Sequence, residues 1–223
     1  MTPSHDAPPR RRVDAWFTAS FEVARRLAEG RGAEAIAVLR RELERTRESE
    51  NPAGQRFLLS QIALCHARMG ELDRARGVLE EIEREMPPTI ETALVLAEGY
   101  LLLLENPERA SHHAALALQW ADERGEDDPS LVSRAHMLMA RALLAQDDLL
   151  GALGAWRSAP LPDWRVAVEL LEAGADRGEV RQVLADSLPR HVEEERRLGA
   201  AATAVSDQVR RLIAWIDAGC PRP

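Results

Sequence analysis

Few side chains in this 223-residue sequence are spaced to do chemistry together. Cys65 and His66 are a nucleophile and a base by type, but adjacent positions on a helix point in different directions, so neither reaches the other. His112 and His113 fail as a metal pair for the same reason, and no HxxxH or HExxH spacing puts two ligands on one helix face. His191 and Glu194, three apart, could share a ligand. The charged run Glu193, Glu194, Glu195, Arg196 and Arg197 around them reads first as a solvated helical face. Gly30-Arg31-Gly32 lacks the further glycines, the preceding strand and the lysine of a phosphate-binding loop. Cys65 and Cys220 stand far apart, outside any CxxC-type spacing, which suits a reducing, cytoplasmic setting. The expectation is a non-enzymatic protein with no catalytic residue, no metal and no cofactor. A small all-helical enzyme without a motif is the contrary reading.

Composition narrows the partners. With 45% hydrophobic and 30% charged residues the chain belongs with globular proteins, and its net charge of −8 argues against nonspecific nucleic-acid binding. The arginine-bearing start, MTPSHDAPPRRRVDAW, has no apolar run behind it to act as a signal peptide. The longest apolar run, Leu94 to Leu104, contains Glu98 and is too short to cross a bilayer. All 29 basic residues are arginine, which either a GC-rich codon bias or selection against lysine modification would produce. The tryptophans at 16, 120, 156, 164 and 215 are dispersed, as packing anchors would be.

The elements that must position these residues are helices. Residues 1–13 form a polar, proline-rich tail. Apolar residues then recur at helical steps on either side of short turns, which predicts hairpins. The clearest is Gln61 to Pro88: Ile62, Ala63, Cys65 and Met69 precede a turn at Gly70, Leu72, Ala75, Val78, Leu79 and Ile82 follow, and Pro87-Pro88 stops the second helix. Asn51-Pro52, Asn106-Pro107 and Asp128-Pro129 are helix starts, with the side chain as N-cap and proline at the first helical position. Gln146-Asp147-Asp148 makes a turn. A weaker fifth pair, 161–188, has a helix Trp164 to Ala173, a turn at Gly178 and a helix Val180 to Leu188. Residues 189–218 read as one long helix, because Leu198, Ala202, Val205, Val209, Leu212 and Ile216 form a heptad seam. That helix would cap the array, or form a homodimer through Leu198, Val205, Val209, Leu212 and Ile216.

Aligned on a small residue early in each second helix, the hairpins pair Ala35, Ala75, Ala110 and Ala152, spaced 40, 35 and 42 residues apart. Over roughly residues 14–160 the pattern resembles the tetratricopeptide-repeat family, whose period is about 34 residues. The best unit matches at Ala63, Gly70, Ala75, Leu79 and Pro87. The third matches at Ala97, Tyr100 and Ala110, and the fourth at Ala140, Leu143, Ala152 and Trp156, with Asp147 where the family has a turn glycine. The resemblance implies an all-α, right-handed solenoid of about four hairpins with a concave face built from the first helix of each. It places Phe57, Ser60, Leu64 and Arg68 on that face, then Glu91, Leu94, Glu98, Leu101 and Leu102, then Arg134, Met137, Arg141 and Leu144.

Such a lining implies an adaptor or scaffold that holds a partner protein or peptide, with an apolar anchor in the centre and an acidic group for Arg134 or Arg141. The competing expectation is that Leu101, Leu102 and Met137 pack against the C-terminal helices and fill the groove from within. A peptide-gated or ligand-gated regulator that switches through its C-terminal helix is the alternative function.

Overall fold

The computed structural model describes residues 15–126, 128–199 and 204–219, with side chains from Glu22 onward. Regular structure among them is helical, with no strand. In chain order the helices are α1 (Ala15–Ala28), α2 (Gly32–Glu48), α3 (Pro52–Arg68), α4 (Leu72–Glu85), α5 (Ile90–Leu102), α6 (Pro107–Arg124), α7 (Pro129–Leu144), α8 (Leu149–Arg157), α9 (Trp164–Glu172), α10 (Arg177–Leu198) and α11 (Val205–Asp217). Among the described residues, no helix is long and apolar enough to cross a membrane. The chain divides into two compact units, residues 1–80 and 81–223, and α4 runs across the division.

Side chains set where the helices begin. Asn51 accepts a hydrogen bond from the Gly54 amide at 3.0 Å and Asn106 accepts one from Arg109 at 3.1 Å, each followed by a proline that has no amide to satisfy. Asp128, Asp148, Asp163 and Asp176 cap α7 to α10 in the same way, at 2.7 to 2.9 Å. Each cap stabilises its helix by about 1 kcal/mol relative to alanine.

Five helix ends share one geometry. The amides of Arg31, Asn51, Glu71, Asp148 and Ala175 return to the carbonyl five residues back, and the residue before each has a left-handed backbone: Gly30, Glu50, Gly70, Asp147 and Gly174. This closure satisfies carbonyls that the helix leaves open. At Glu50 (φ 49°) it holds a side chain in a conformation that costs a non-glycine residue about 1 kcal/mol. Glu50→Gly is therefore expected to raise the thermal midpoint by about 2–4 °C, measured by calorimetry. An unchanged or lower midpoint would show that the loop relieves the strain in another way.

In the first unit α1 packs on α2 and α2 on α3, and α1 also touches α3. Ala35, Leu39, Leu43, Leu58, Leu59 and Ile62 are completely buried there. In the second unit α5, α6, α7 and α8 pack in succession and α5 also touches α7. Ala97, Ala114 and Ala117 let α5 and α6 approach closely, around a core with Ile90, Leu94 and Leu138. A further core gathers Trp156, Val166, Leu170, Val180, Leu184, Val209, Leu212 and Ile216 from α8 to α11. Met137 of α7 packs against both cores. Each fully buried aliphatic side chain contributes about 1.5–3 kcal/mol.

The C-terminal region departs from expectation. The turn after α9 is at Gly174 (φ 97°), and Gly178 lies in the first turn of α10. The single helix expected over 189–218 is two: α10 passes through Pro189 and stops at Leu198, before Gly199 (φ 65°), and α11 starts at Val205. Pro189 has no N–H for the carbonyl of Ala185, so one rung of the helical ladder is missing. Val180 and Leu184 before the proline and His191 after it are buried on one stripe of α10. Val209, Leu212 and Ile216, expected either to cap the array or to form a seam between copies, are buried inside this chain. Ala202 lies outside the described residues.

Candidate functional site

The residues expected to line a groove are not equally available. In the first unit Phe57 and Leu64 are half-buried and Arg68 is exposed, while the Ser60 hydroxyl donates to the Phe57 carbonyl of its own helix at 2.7 Å. In the second unit Leu94 is 0% exposed and belongs to the core, which removes it from any open surface. The reason is that α5 is apolar nearly all round, so periodicity alone does not choose its inner face. Glu91 is exposed, Leu102 is 58% exposed, and Leu101 packs partly against the core.

The two arginines expected to take a partner's acidic group have acidic partners within the chain. Arg134 pairs with Glu98 across α5 and α7. Arg141 grips Glu169 of α9 through two hydrogen bonds, 2.7 and 3.0 Å long. The second contact ties α9 onto α7, where Leu144 and Met137 also pack against the C-terminal core. On the fourth hairpin the groove face is thus partly covered by the chain itself.

Between these elements a cleft of about 370 Å³ is lined by Ser130, Ser133, Arg134 and Met137 of α7 and by Leu161 and Asp163 ahead of α9. Trp164 and Arg165 of α9, His191, Glu194, Glu195 and Leu198 of α10, and Val205 of α11 complete it. The Ser133 hydroxyl accepts from the Leu161 amide at 2.8 Å, fixing the α8–α9 segment to α7. Glu195 accepts from both the amide and the hydroxyl of Ser206, each at 2.7 Å, which joins α10 to α11 and holds its carboxyl below the usual range. Glu194 is held low chiefly by Arg197, 2.6 Å away.

His191 is the unusual member of this wall. It is 6% exposed, its ring hydrogen-bonds the Pro162 carbonyl, and its Nε2 is buried without a partner. Burial, more than any neighbouring charge, pushes its pKa down. A sequence signal for it existed. Val180, Leu184, Ser187 and His191 are spaced 4, 3 and 4, which puts His191 on the buried stripe rather than with the charged run beyond it.

The residues weighed for catalysis are scattered. The Cys65 thiol is buried, and burial pushes its pKa up to about 11, far from a reactive thiolate. His66 Nδ1 meets Glu71 at 2.7 Å across the turn between α3 and α4. His112 is exposed while His113 is buried, stacked on Tyr100 with ring centres 5.4 Å apart. Among the described residues no group of three His, Cys, Asp or Glu side chains could hold a metal ion. In comparisons with known proteins, the chain matches no family model and no curated protein.

Proposed function

We propose that this chain is a non-catalytic, cytoplasmic scaffold of tetratricopeptide-like hairpins that binds a partner protein or peptide on the first helices of its hairpins. The observation that carries this reading is the contact of one first helix with the next within each unit, α1 with α3 and α5 with α7. Such contacts line up first helices on one face, as stacked hairpins do. The accessible part in the second unit is Glu91, Leu101 and Leu102 beside the Glu98–Arg134 pair, which suits an amphipathic helix or extended segment with an apolar anchor. In the first unit Leu64 and Arg68 hold the corresponding positions on α3.

Leu102→Asp tests the reading, because an exposed side chain can be changed with little effect on folding. Leu150 of α8, 82% exposed, is the control on a second helix. The expected result is that a copurifying partner, quantified by mass spectrometry, is lost at least about tenfold with Leu102→Asp and retained with Leu150→Asp, since a buried apolar anchor contributes about 1.5–3 kcal/mol. Equal capture by both variants would sink the assignment of this face. The ligand-gated alternative is favoured by one different observation, the cleft that α10 and α11 close against α7.

A further inference from the structure

We infer that the face of α5 proposed above as a docking surface takes a basic amphipathic helix, one with aliphatic side chains along a stripe and lysine or arginine beside it. The inference rests on the protein-binding reading and names the chemistry of the partner.

The surface is a single stripe. Glu91, Val95, Glu98 and Leu102 stand at i, i+4, i+7 and i+11 on one face of α5, and apart from Leu101 every other residue of the helix is buried. What α5 presents outward is therefore an alternation of acidic and aliphatic side chains over about 16 Å, roughly three turns. Leu102, at the end of the stripe, is 58% exposed. The helix carries no basic residue of its own. Alongside it runs α7, whose Arg134 meets Glu98. A second helix laid on such a stripe reads it with side chains of the same spacing, aliphatic ones against Val95 and Leu102.

The charge of the partner follows from what the arginines already hold. Arg134 is engaged by Glu98, and Arg141 by both carboxylate oxygens of Glu169. An acidic partner, which these arginines invite when the sequence alone is read, has to displace a carboxylate of this chain. A basic partner displaces nothing, because a carboxylate has lone pairs for more than one donor and Glu98 can accept from a lysine while Arg134 stays in place. The long-range field acts in the same sense. Residues 81–223 hold 25 acidic residues against 15 arginines, a net charge of −10, whereas residues 1–80 hold 12 against 14, a net charge of +2. The unit that carries α5 thus attracts a basic segment and repels an acidic one.

The test uses the full chain and three fluorescein-labelled helical peptides. They share leucines at i, i+4, i+7 and i+11 and differ only in carrying Lys, Gln or Glu on the flanks of that stripe. Fluorescence anisotropy should find the Lys peptide at least about tenfold tighter than the Gln peptide, and the Glu peptide weakest. Leu102→Ser should weaken the Lys peptide about tenfold, and Leu150→Ser on α8 should leave it unchanged. Glu98→Arg, which also strips Arg134 of its partner, should lower the ratio of Lys-peptide to Glu-peptide affinity at least about tenfold. Asp186→Arg on α10, a charge change of the same size outside the α5–α7 pair, should leave that ratio within about twofold. If Leu102→Ser weakens the peptides but the Lys form is not preferred, or if Glu98→Arg leaves the ratio unchanged, the docking face stands and the basic partner is overturned. If Leu102→Ser and Leu150→Ser both leave binding of the Lys peptide unchanged, the face itself falls and the inference with it.

Discussion

Trp156→Ala should lower the free energy of unfolding by about 4 kcal/mol, at the upper end of large-to-small substitutions. The side chain is completely buried at the centre of the C-terminal core, among Val166, Leu170 and Ala140. Its indole N–H also donates to the Asp163 carbonyl at 2.9 Å. Asp163 caps α9 through its carboxylate, so one tryptophan fixes both the position of that helix and one edge of the cleft. Trp156→Phe separates the contributions, because it keeps much of the packing and removes the hydrogen bond, with an expected loss of about 1–3 kcal/mol. Urea unfolding of the three proteins at one pH measures both differences. A loss below about 1 kcal/mol for Trp156→Ala would mean that the core collapses onto the space, and that the tryptophan is not its keystone.

Acidification should destabilise the fold well above the range in which carboxylates titrate. Burial pushes the His113 pKa down to about 4, with Glu83 only partly opposing it. The unfolded chain takes up that proton near pH 6.5 and the folded chain does not. The contribution of His113 is therefore complete above pH 6.5, is lost progressively as the pH falls from 6.5 to about 4, and changes no further below that. At about 1.4 kcal/mol per pH unit for one proton, the window is worth about 3 kcal/mol. His136 and His191 are lowered in the same direction, again chiefly by burial, and steepen the upper part of the fall. His113→Phe keeps a ring against Tyr100 and removes the titration. The slope of stability against pH between 6.5 and 4 should then drop by about one proton, read from urea midpoints at several pH values. An unchanged slope would remove His113 from the account.

What the sequence revealed and what it concealed divide along a physical line. Local backbone chemistry was readable: Asn51-Pro52, Asn106-Pro107 and Asp128-Pro129 start helices because the cap and the missing proline amide act within four residues. The alignment on Ala35, Ala75, Ala110 and Ala152 picked four positions that are all completely buried, because close approach of helices tolerates only small side chains.

Long-range pairing was not readable. Arg134 and Arg141 look available in a list of residues, and their partners Glu98 and Glu169 are 36 and 28 positions away. The heptad from Leu198 to Ile216 is a true apolar stripe only on α11, and the spacing ran through a helix end at Gly199 without a visible break. His191 was masked by its neighbours, since only Glu193, Arg196 and Arg197 of the charged run are exposed, while Glu194 and Glu195 are half-buried on the same wall as the histidine.

The missing rung at Pro189 limits how cooperatively α10 can behave. In an unbroken helix every turn is braced by the one before it, and opening spreads to the nearest weak end. Here the bracing lapses at Ala185, so the C-terminal half of α10 can loosen while the half packed through Val180 and Leu184 stays closed. That outer half carries His191, Glu194, Glu195 and Leu198, one whole wall of the cleft. Movement there would shift that wall and leave Val180 and Leu184 packed in the hydrophobic core.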